Sequence, residues 1–107
     1  VNKSVLKVQL IQNIDRKLPL EDIADSQGKS FGELLDEIES IVNSGTRVNI
    51  NYYINTLLES TDQNEVFEYF TESETDDIEA AYREFDGVYT EEELRLIRIR
   101  FMSELAN

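Results

Sequence analysis

The feature that most constrains the fold is a strongly periodic apolar segment that begins directly after a helix-capping pair. Ser30 and Glu33 have the S-x-x-E spacing of a capping box, in which each side chain accepts a hydrogen bond from the other residue's backbone N–H. Apolar residues then recur at i, i+3, i+4, i+7, i+10 and i+11: Phe31, Leu34, Leu35, Ile38, Ile41 and Val42. The pattern predicts an amphipathic helix that Gly45 ends as a C-terminal cap.

A short helix before this segment completes a helix-turn-helix pattern. Pro19 is favoured in a first helical turn, so we expect a helix over residues 20–26 and a turn at Gly28. The small Ala24 allows the two helices to cross closely. Apolar side chains are expected to fill the angle between them: Leu20, Ile23, Phe31, Leu35 and Ile38. Thr46–Ile50 is the plausible extended segment, and we predict it as a minimal wing strand.

Helical spacing continues through the rest of the chain, which predicts an all-α fold. A first helix is expected from about Lys3 to Ile14. The second half is expected to hold four more helices, which begin near these residues: Asn51, Asp62, Thr75 and Thr90. Asn51 and Thr75 are the expected caps of their helices. The last helix has a second capping box, formed by Thr90 and Glu93.

The acidity of the chain is uneven and divides the sequence into two parts. The net charge is −13; residues 1–50 carry six lysines and arginines against eight acids, whereas residues 51–107 carry four arginines against fifteen acids. We predict a helix-turn-helix, winged-helix-like core over residues 1–50 and an appended acidic helical bundle over residues 51–107 that packs on it. Because DNA binding needs a basic surface, any contact with DNA would have to come from the first half. Its cations are the candidate DNA- or partner-contact residues: Lys3, Lys7, Arg16, Lys17, Lys29 and Arg47.

Two interpretations of the helix that follows Ser30 remain open. A DNA recognition helix offers arginine, lysine, asparagine or glutamine to the major groove. The face expected to point outward here is rich in carboxylates instead: Gly32, Glu33, Asp36, Glu37, Glu39, Ser40 and Asn43. The helix is either a DNA recognition helix or a scaffold and protein-contact face, and its negative charge favours the second interpretation.

Other charged and aromatic residues have structural interpretations beside the functional ones. Arginines of the last helix are expected to pair with nearby acids, as in the i, i+4 pair of Glu91 and Arg95. The carboxylates of residues 72–77 do not fit the calcium-loop template and are better explained as helix starts. Three tyrosines are expected either in the core or stacked on nucleic-acid bases: Tyr52, Tyr53 and Tyr89.

Missing residue types exclude several functions for this chain. It contains no His and no Cys, which excludes Ser-His-Asp and Cys-His nucleophile systems, thiolate zinc sites and disulfides. It also has no glycine-rich phosphate loop and no apolar run near the ~20 residues that span a bilayer. We therefore expect no enzyme activity, cofactor, metal or membrane contact of its own. The start Val1-Asn2-Lys3 is typical of a fragment of a longer protein, and the composition fits the cytoplasm.

Eight short stretches, spread over nearly the whole chain, carry a family resemblance. They are residues 6–8, 14–17, 20–24, 44–46, 52–54, 73–76, 91–96 and 101–107. The two closing stretches, Glu-Glu-Glu-Leu-Arg-Leu and Phe-Met-Ser-Glu-Leu-Ala-Asn, are the most distinctive. In these stretches the chain resembles the extreme C-terminal helix-turn-helix domain of RecQ-type ATP-dependent DNA helicases, particularly of the Bacteroidetes branch.

The resemblance implies a parent enzyme that unwinds DNA 3′ to 5′ with ATP and magnesium, in bacterial replication, recombination and repair. In such helicases the motor, the zinc-binding segment and the first winged-helix domain lie upstream, and their motifs are absent here. The chain is then expected to be a non-catalytic accessory domain that positions DNA or a repair partner near the motor, in the cytoplasm at the nucleoid. The alternative is an acidic protein–protein interaction or dimerisation module without DNA contact. The oligomeric state stays open.

Overall fold

The computed structural model describes residues 3–105, which form seven α-helices and no β-strand. In chain order the helices are α1 (Lys3–Asp15), α2 (Leu20–Ser26), α3 (Phe31–Asn43), α4 (Asn51–Leu57), α5 (Ser60–Glu72), α6 (Ile78–Glu84) and α7 (Glu91–Leu105). The predicted all-α fold is confirmed. No helix within residues 3–105 is long and apolar enough to cross a membrane.

Both predicted capping boxes form, and they fix where α3 and α7 begin. Ser30 Oγ accepts a hydrogen bond from the Glu33 N–H at 3.1 Å, and Glu33 Oε1 accepts one from the Ser30 N–H at 2.9 Å. Thr90 and Glu93 make the same two bonds at 3.0 and 2.9 Å. These bonds satisfy backbone donors that a helix start otherwise leaves unpaired.

Two other helix starts differ from the prediction in the residue that caps them. The cap of α6 is Asp77 and not Thr75, since Asp77 Oδ2 accepts the Ala80 N–H at 3.0 Å. Thr75 Oγ1 accepts the Asp77 N–H instead, one step outside the helix. Asn51 begins α4 but does not cap it; the Asn49 side chain accepts the Asn51 N–H at 3.0 Å. Neighbouring polar side chains compete for the same donors, and sequence spacing alone does not choose among them.

The helix-turn-helix consists of α2, the turn at Gly28 and α3. Four of the side chains predicted between the two helices are buried: Leu20, Ile23, Leu35 and Ile38. The fifth, Phe31, is partly buried. Ala24 is also buried, as the close crossing requires. Gly45 ends α3 with φ +97°, a backbone conformation that L side chains rarely adopt. The helix-turn-helix core is confirmed.

The predicted wing strand does not form. Residues 46–50 have no regular secondary structure, although Val48 and Ile50 are buried. A strand needs the backbone groups of a neighbouring strand, and no other strand lies within residues 3–105. The backbone groups of Val48 bond to a side chain instead. The Ser103 hydroxyl accepts a hydrogen bond from the Val48 N–H and donates one to the Val48 carbonyl, both at 2.9 Å.

α7 is the helix on which most of the others pack. It contacts α3, α4, α5 and α6. Four of its side chains are almost fully buried in the same core as α2 and α3: Leu94, Leu96, Ile97 and Ile99. Burial of each contributes about 1.5–3 kcal/mol. The helix-turn-helix therefore shares one hydrophobic core with the acidic second half, while the domain boundary after residue 50 stays a prediction.

Candidate functional site

The carboxylates of α3 that were expected to face outward are partly covered by α7. The Arg95 guanidinium donates to Asp36 Oδ1 at 2.6 Å and to Glu39 Oε1 at 2.8 Å. The Arg98 guanidinium donates to Glu39 Oε2 at 2.6 Å and to the Asp76 carbonyl at 3.0 Å. Arg95 thus pairs with Asp36 and Glu39 on the adjacent helix α3 and not with the predicted Glu91. The expectation that arginines of the last helix pair with acids is correct, but the partners differ.

Glu39 is the centre of this contact, which we call the α3–α7 ion cluster (Asp36, Glu39, Arg95 and Arg98). Burial by itself raises the pKa of the Glu39 carboxyl, but the hydrogen bonds from Arg95 and Arg98 outweigh burial and lower that pKa. The hydrogen bond to Glu39 also raises the pKa of Arg95. Glu39 and Arg95 are therefore charged at neutral pH, and the arginines of α7 contact the middle of the α3 face. These contacts favour the scaffold interpretation of α3 over that of a DNA recognition helix, and the choice between the two stays a prediction.

Of the six candidate cations, Lys29 has an ion-pair partner close by in the sequence, on α3. Its ammonium group donates to Gln27 Oε1 at 3.3 Å and lies 3.7 Å from a Glu37 carboxylate oxygen. Lys3 and Lys7 lie on α1 and are exposed. Arg16 and Lys17 follow α1 in an exposed turn, and Arg47 is exposed between α3 and α4. The role of these residues as contact sites stays a prediction.

Two of these cations lie beside one polar groove at the junction of α1, α4 and α7. The groove consists of two adjoining cavities of about 420 and 490 Å³, both lined by Asp15, Asn49 and Asn51. Arg47 lines the first cavity and Lys17 lines the second. We call the set of Lys17, Arg47, Asn49 and Asn51, with Arg100 described below, the polar groove.

Arg100 also lines the polar groove, and it pairs with a nearby acid of the last helix as expected. Its guanidinium donates to Glu104 at 2.9 Å and to Gln63 at 3.3 Å, and lies 4.9 Å from the centre of the Phe67 ring. These contacts hold Arg100 in place beside Arg47. Arg47 and Arg100 are 53 positions apart in the sequence, so no local spacing could have joined them.

The charges around the polar groove leave two cations available. Three basic side chains and the carboxylates of Asp15 and Glu104 line it. Within residues 3–105, no carboxylate forms an ion pair with Lys17 or Arg47. Free cations next to asparagine amides can bind the phosphate groups of a nucleic-acid backbone. Among the described residues, no group of three or more acidic side chains is placed so as to hold a metal ion.

The tyrosines are mainly structural. Tyr89 is buried, and its hydroxyl donates to Asp62 at 3.2 Å. The Tyr52 hydroxyl donates to the Leu18 carbonyl, which ties α4 to the segment after α1. Burial, followed by nearby carboxylates, raises the pKa of each of these hydroxyls to about 12. Tyr89 therefore belongs to the core, whereas Tyr52 is partly buried and also lines the second cavity of the polar groove.

Comparison with known proteins finds a match to one family model over part of the chain. Residues 4–54 match the family model of the RecQ-1-like helix-turn-helix domain. The match spans α1, α2, α3 and the first turn of α4, and it includes Lys17 and Arg47. Among curated proteins no match was found. The resemblance of residues 55–107, including the two distinctive closing stretches, and the Bacteroidetes origin stay predictions.

Proposed function

From the match of residues 4–54 to the RecQ-1-like helix-turn-helix domain, we propose that the chain is a non-catalytic accessory domain of a RecQ-type helicase. In this proposal the parent enzyme unwinds DNA 3′ to 5′ with ATP and magnesium. The accessory domain holds DNA near the motor and supplies no group to ATP hydrolysis.

The observation that carries the DNA part of the proposal is the polar groove. Lys17 and Arg47 lie beside it without carboxylate partners among residues 3–105, whereas the α3–α7 ion cluster occupies the middle of the α3 face. Lys17 and Arg47 offer phosphate contacts, and both lie in segments between helices and not on a helix that could enter the major groove. Binding through the polar groove is expected to be weak, salt-dependent and insensitive to sequence.

Lys17 provides a sharp test because its backbone lies in the left-handed region, with φ +61°. Glycine adopts this conformation without strain, so Lys17→Gly is expected to keep or raise the free energy of unfolding, by up to about 1 kcal/mol. The same change removes one groove cation. A loss of DNA binding in this variant therefore cannot come from unfolding.

The experiment measures fluorescence anisotropy with forked and single-stranded oligonucleotides at about 50 and 200 mM salt. We expect Lys17→Gly combined with Arg47→Gln to weaken binding and to reduce the slope of log K against log salt by about 1.5–2. Arg83→Gln is the matched control, because Arg83 is exposed in the acidic half and lies outside the groove. Equal binding by the double variant and the wild type would refute the DNA role of the groove.

A second candidate function is an acidic protein-interaction or dimerisation module, favoured by the fifteen acids of residues 51–107. This candidate predicts binding to a basic protein partner, such as the parent's own ATPase core, and no binding to DNA. A pull-down with that core, together with sedimentation of the chain alone, separates the two candidates. Monomeric sedimentation and failure to bind the core would count against the second one.

A further inference from the structure

An apolar groove lies on another part of the surface, where the N-terminal ends of α3 and α7 meet α4. It has a volume of about 330 Å³, near the lower end for ligand sites in proteins. The rings of Phe31 and Tyr53 lie 6.1 Å apart along it, and the buried Leu96 lies beneath. Leu57 borders it and is 46% exposed. We call Phe31, Tyr53, Leu57 and Leu96 the apolar groove; it has room for a leucine or phenylalanine side chain of a partner.

The rim of the apolar groove is negatively charged. Glu92 and Glu93 line it, and Glu21 lies beside the Tyr53 hydroxyl. Burial is the largest cause of the raised pKa of Tyr53, followed by these carboxylates of Glu21 and Glu92. Within residues 3–105, no lysine or arginine forms an ion pair with any of the three rim carboxylates. Glu93 Oε1 accepts the Thr90 N–H at 2.9 Å.

The rim charge selects among the possible occupants. Among the residues that line the groove, nucleic-acid phosphates would meet two carboxylates and no cation. A second copy of the chain would bring the same carboxylates and a net charge of −13. A peptide with a large apolar side chain between lysines or arginines fits both the floor and the rim.

We propose that the apolar groove binds a short basic segment of a partner protein, with a leucine or phenylalanine as its anchor. The proposal rests on the protein-interaction candidate above and names the chemistry of its partner. It does not depend on DNA binding, because the apolar groove and the polar groove share no lining residue.

The test uses the whole chain and labelled helical peptides of about twelve residues, since helix-in-groove binding is read through apolar anchors. The first peptide has leucine anchors flanked by lysine and arginine, the second replaces the leucines with serine, and the third replaces the basic residues with glutamate. Anisotropy measures binding, and NMR shifts of the backbone amides locate it. We expect only the first peptide to bind well, with the largest shifts around Tyr53, Leu57 and Leu96.

Variants then test the groove directly. Leu57→Ser is expected to weaken binding about three- to tenfold, from the apolar area that a partner would cover. Glu92→Gln is expected to weaken it about two- to fivefold at low salt and less at high salt. Val88→Ser and Glu79→Gln are matched controls, because both residues are exposed and lie outside the groove.

Three results would overturn the proposal. If the basic peptide binds but Leu57→Ser has no effect, the protein-interaction function stands and the groove is not its site. If no basic peptide binds, that function and the groove both fail for this kind of partner. If single-stranded DNA or a second copy of the chain shifts the amides of Tyr53 and Leu57, the groove has a different occupant.

Discussion

Replacing Glu39 with glutamine removes the one carboxylate that Arg95 and Arg98 share. Glu39 accepts three hydrogen bonds from these two guanidinium groups, at 2.6, 2.8 and 3.4 Å. The side chains of Glu39, Arg95 and Arg98 are 15%, 20% and 19% exposed. A glutamine in the same place keeps one acceptor oxygen, but its amide donors meet the arginine donors.

The size of the effect follows from the burial of the cluster. A hydrogen bond to a charged group contributes about 1.5–3 kcal/mol, and an exposed ion pair contributes about 0.2–1 kcal/mol. Glutamine keeps one acceptor oxygen, so one of the two short hydrogen bonds to Glu39 is lost. Because the cluster is partly exposed, we take the lower part of the first range for this bond. We expect Glu39→Gln to lower the free energy of unfolding by about 2 kcal/mol. Loss of a hydrogen bond from Arg98 would be the more costly, because its buried Nε already has no hydrogen-bond partner among the described residues.

Urea unfolding followed by circular dichroism measures this difference, and Asp36→Asn is the matched control. Asp36 bonds the same Arg95 at 2.6 Å, but its side chain is 70% exposed. The control is therefore expected to cost about 0.5 kcal/mol. If the two variants lose equal stability, the argument from burial is wrong.

The effect of Glu39→Gln should also depend on pH in a defined direction. The folded-state pKa of Glu39 lies below the usual value of 4.5, so the folded state binds fewer protons than the unfolded state near that pH. The stability that the ionised Glu39 contributes is fully present above about pH 4.5 and is lost as the pH falls through the folded pKa. The difference between wild type and Glu39→Gln should shrink in acid; a constant difference would contradict the charged state of Glu39.

Three further predictions concern the core, a turn and the overall charge. Ile97→Ala is expected to lower the free energy of unfolding by about 2–5 kcal/mol in a single urea transition, because Ile97 is fully buried in the shared core; Leu105→Ala, at a side chain 67% exposed, should cost under about 0.5 kcal/mol. Gly45→Ala is expected to cost about 1–2 kcal/mol by thermal unfolding, since φ is +97° and nothing within 4 Å would crowd the new methyl group. Salt should raise the melting temperature, because screening weakens the repulsion of a net charge of −13; a fall in the melting temperature would show that the ion pairs dominate.

The parts of the fold that could be predicted from sequence are those fixed by near neighbours. The capping boxes of Ser30 and Thr90 form because both partners lie three positions apart. The apolar spacing of α3 likewise predicts which of its residues are buried. The helix-turn-helix followed from these local patterns and agrees with the family match.

Apart from the caps of α4 and α6, where neighbouring polar side chains compete, the errors concern contacts between distant residues. All four carboxylates of α3 were expected to face solvent. Two of them, Asp36 and Glu39, pair instead with arginines that lie 56 to 59 positions away in the sequence. The wing strand was predicted from local composition, but the backbone of Val48 bonds Ser103, 55 positions later. The candidate site shows the same limit: Lys17 and Arg47 were predicted as contact residues, whereas Arg100 joins them only through the packing of α7.

The position of α7 has a consequence for the synthesis of the chain. The helices that it covers, α3 to α6, are translated before it. At about 5–20 residues per second, the ribosome takes roughly 3–12 s to progress from the end of α3 to the end of α7. During that interval the apolar side of the helix-turn-helix lacks its cover, and Glu39 lacks both of its arginines. Helices α3 to α6 therefore reach their native packing only after α7 has been synthesised and has left the exit tunnel.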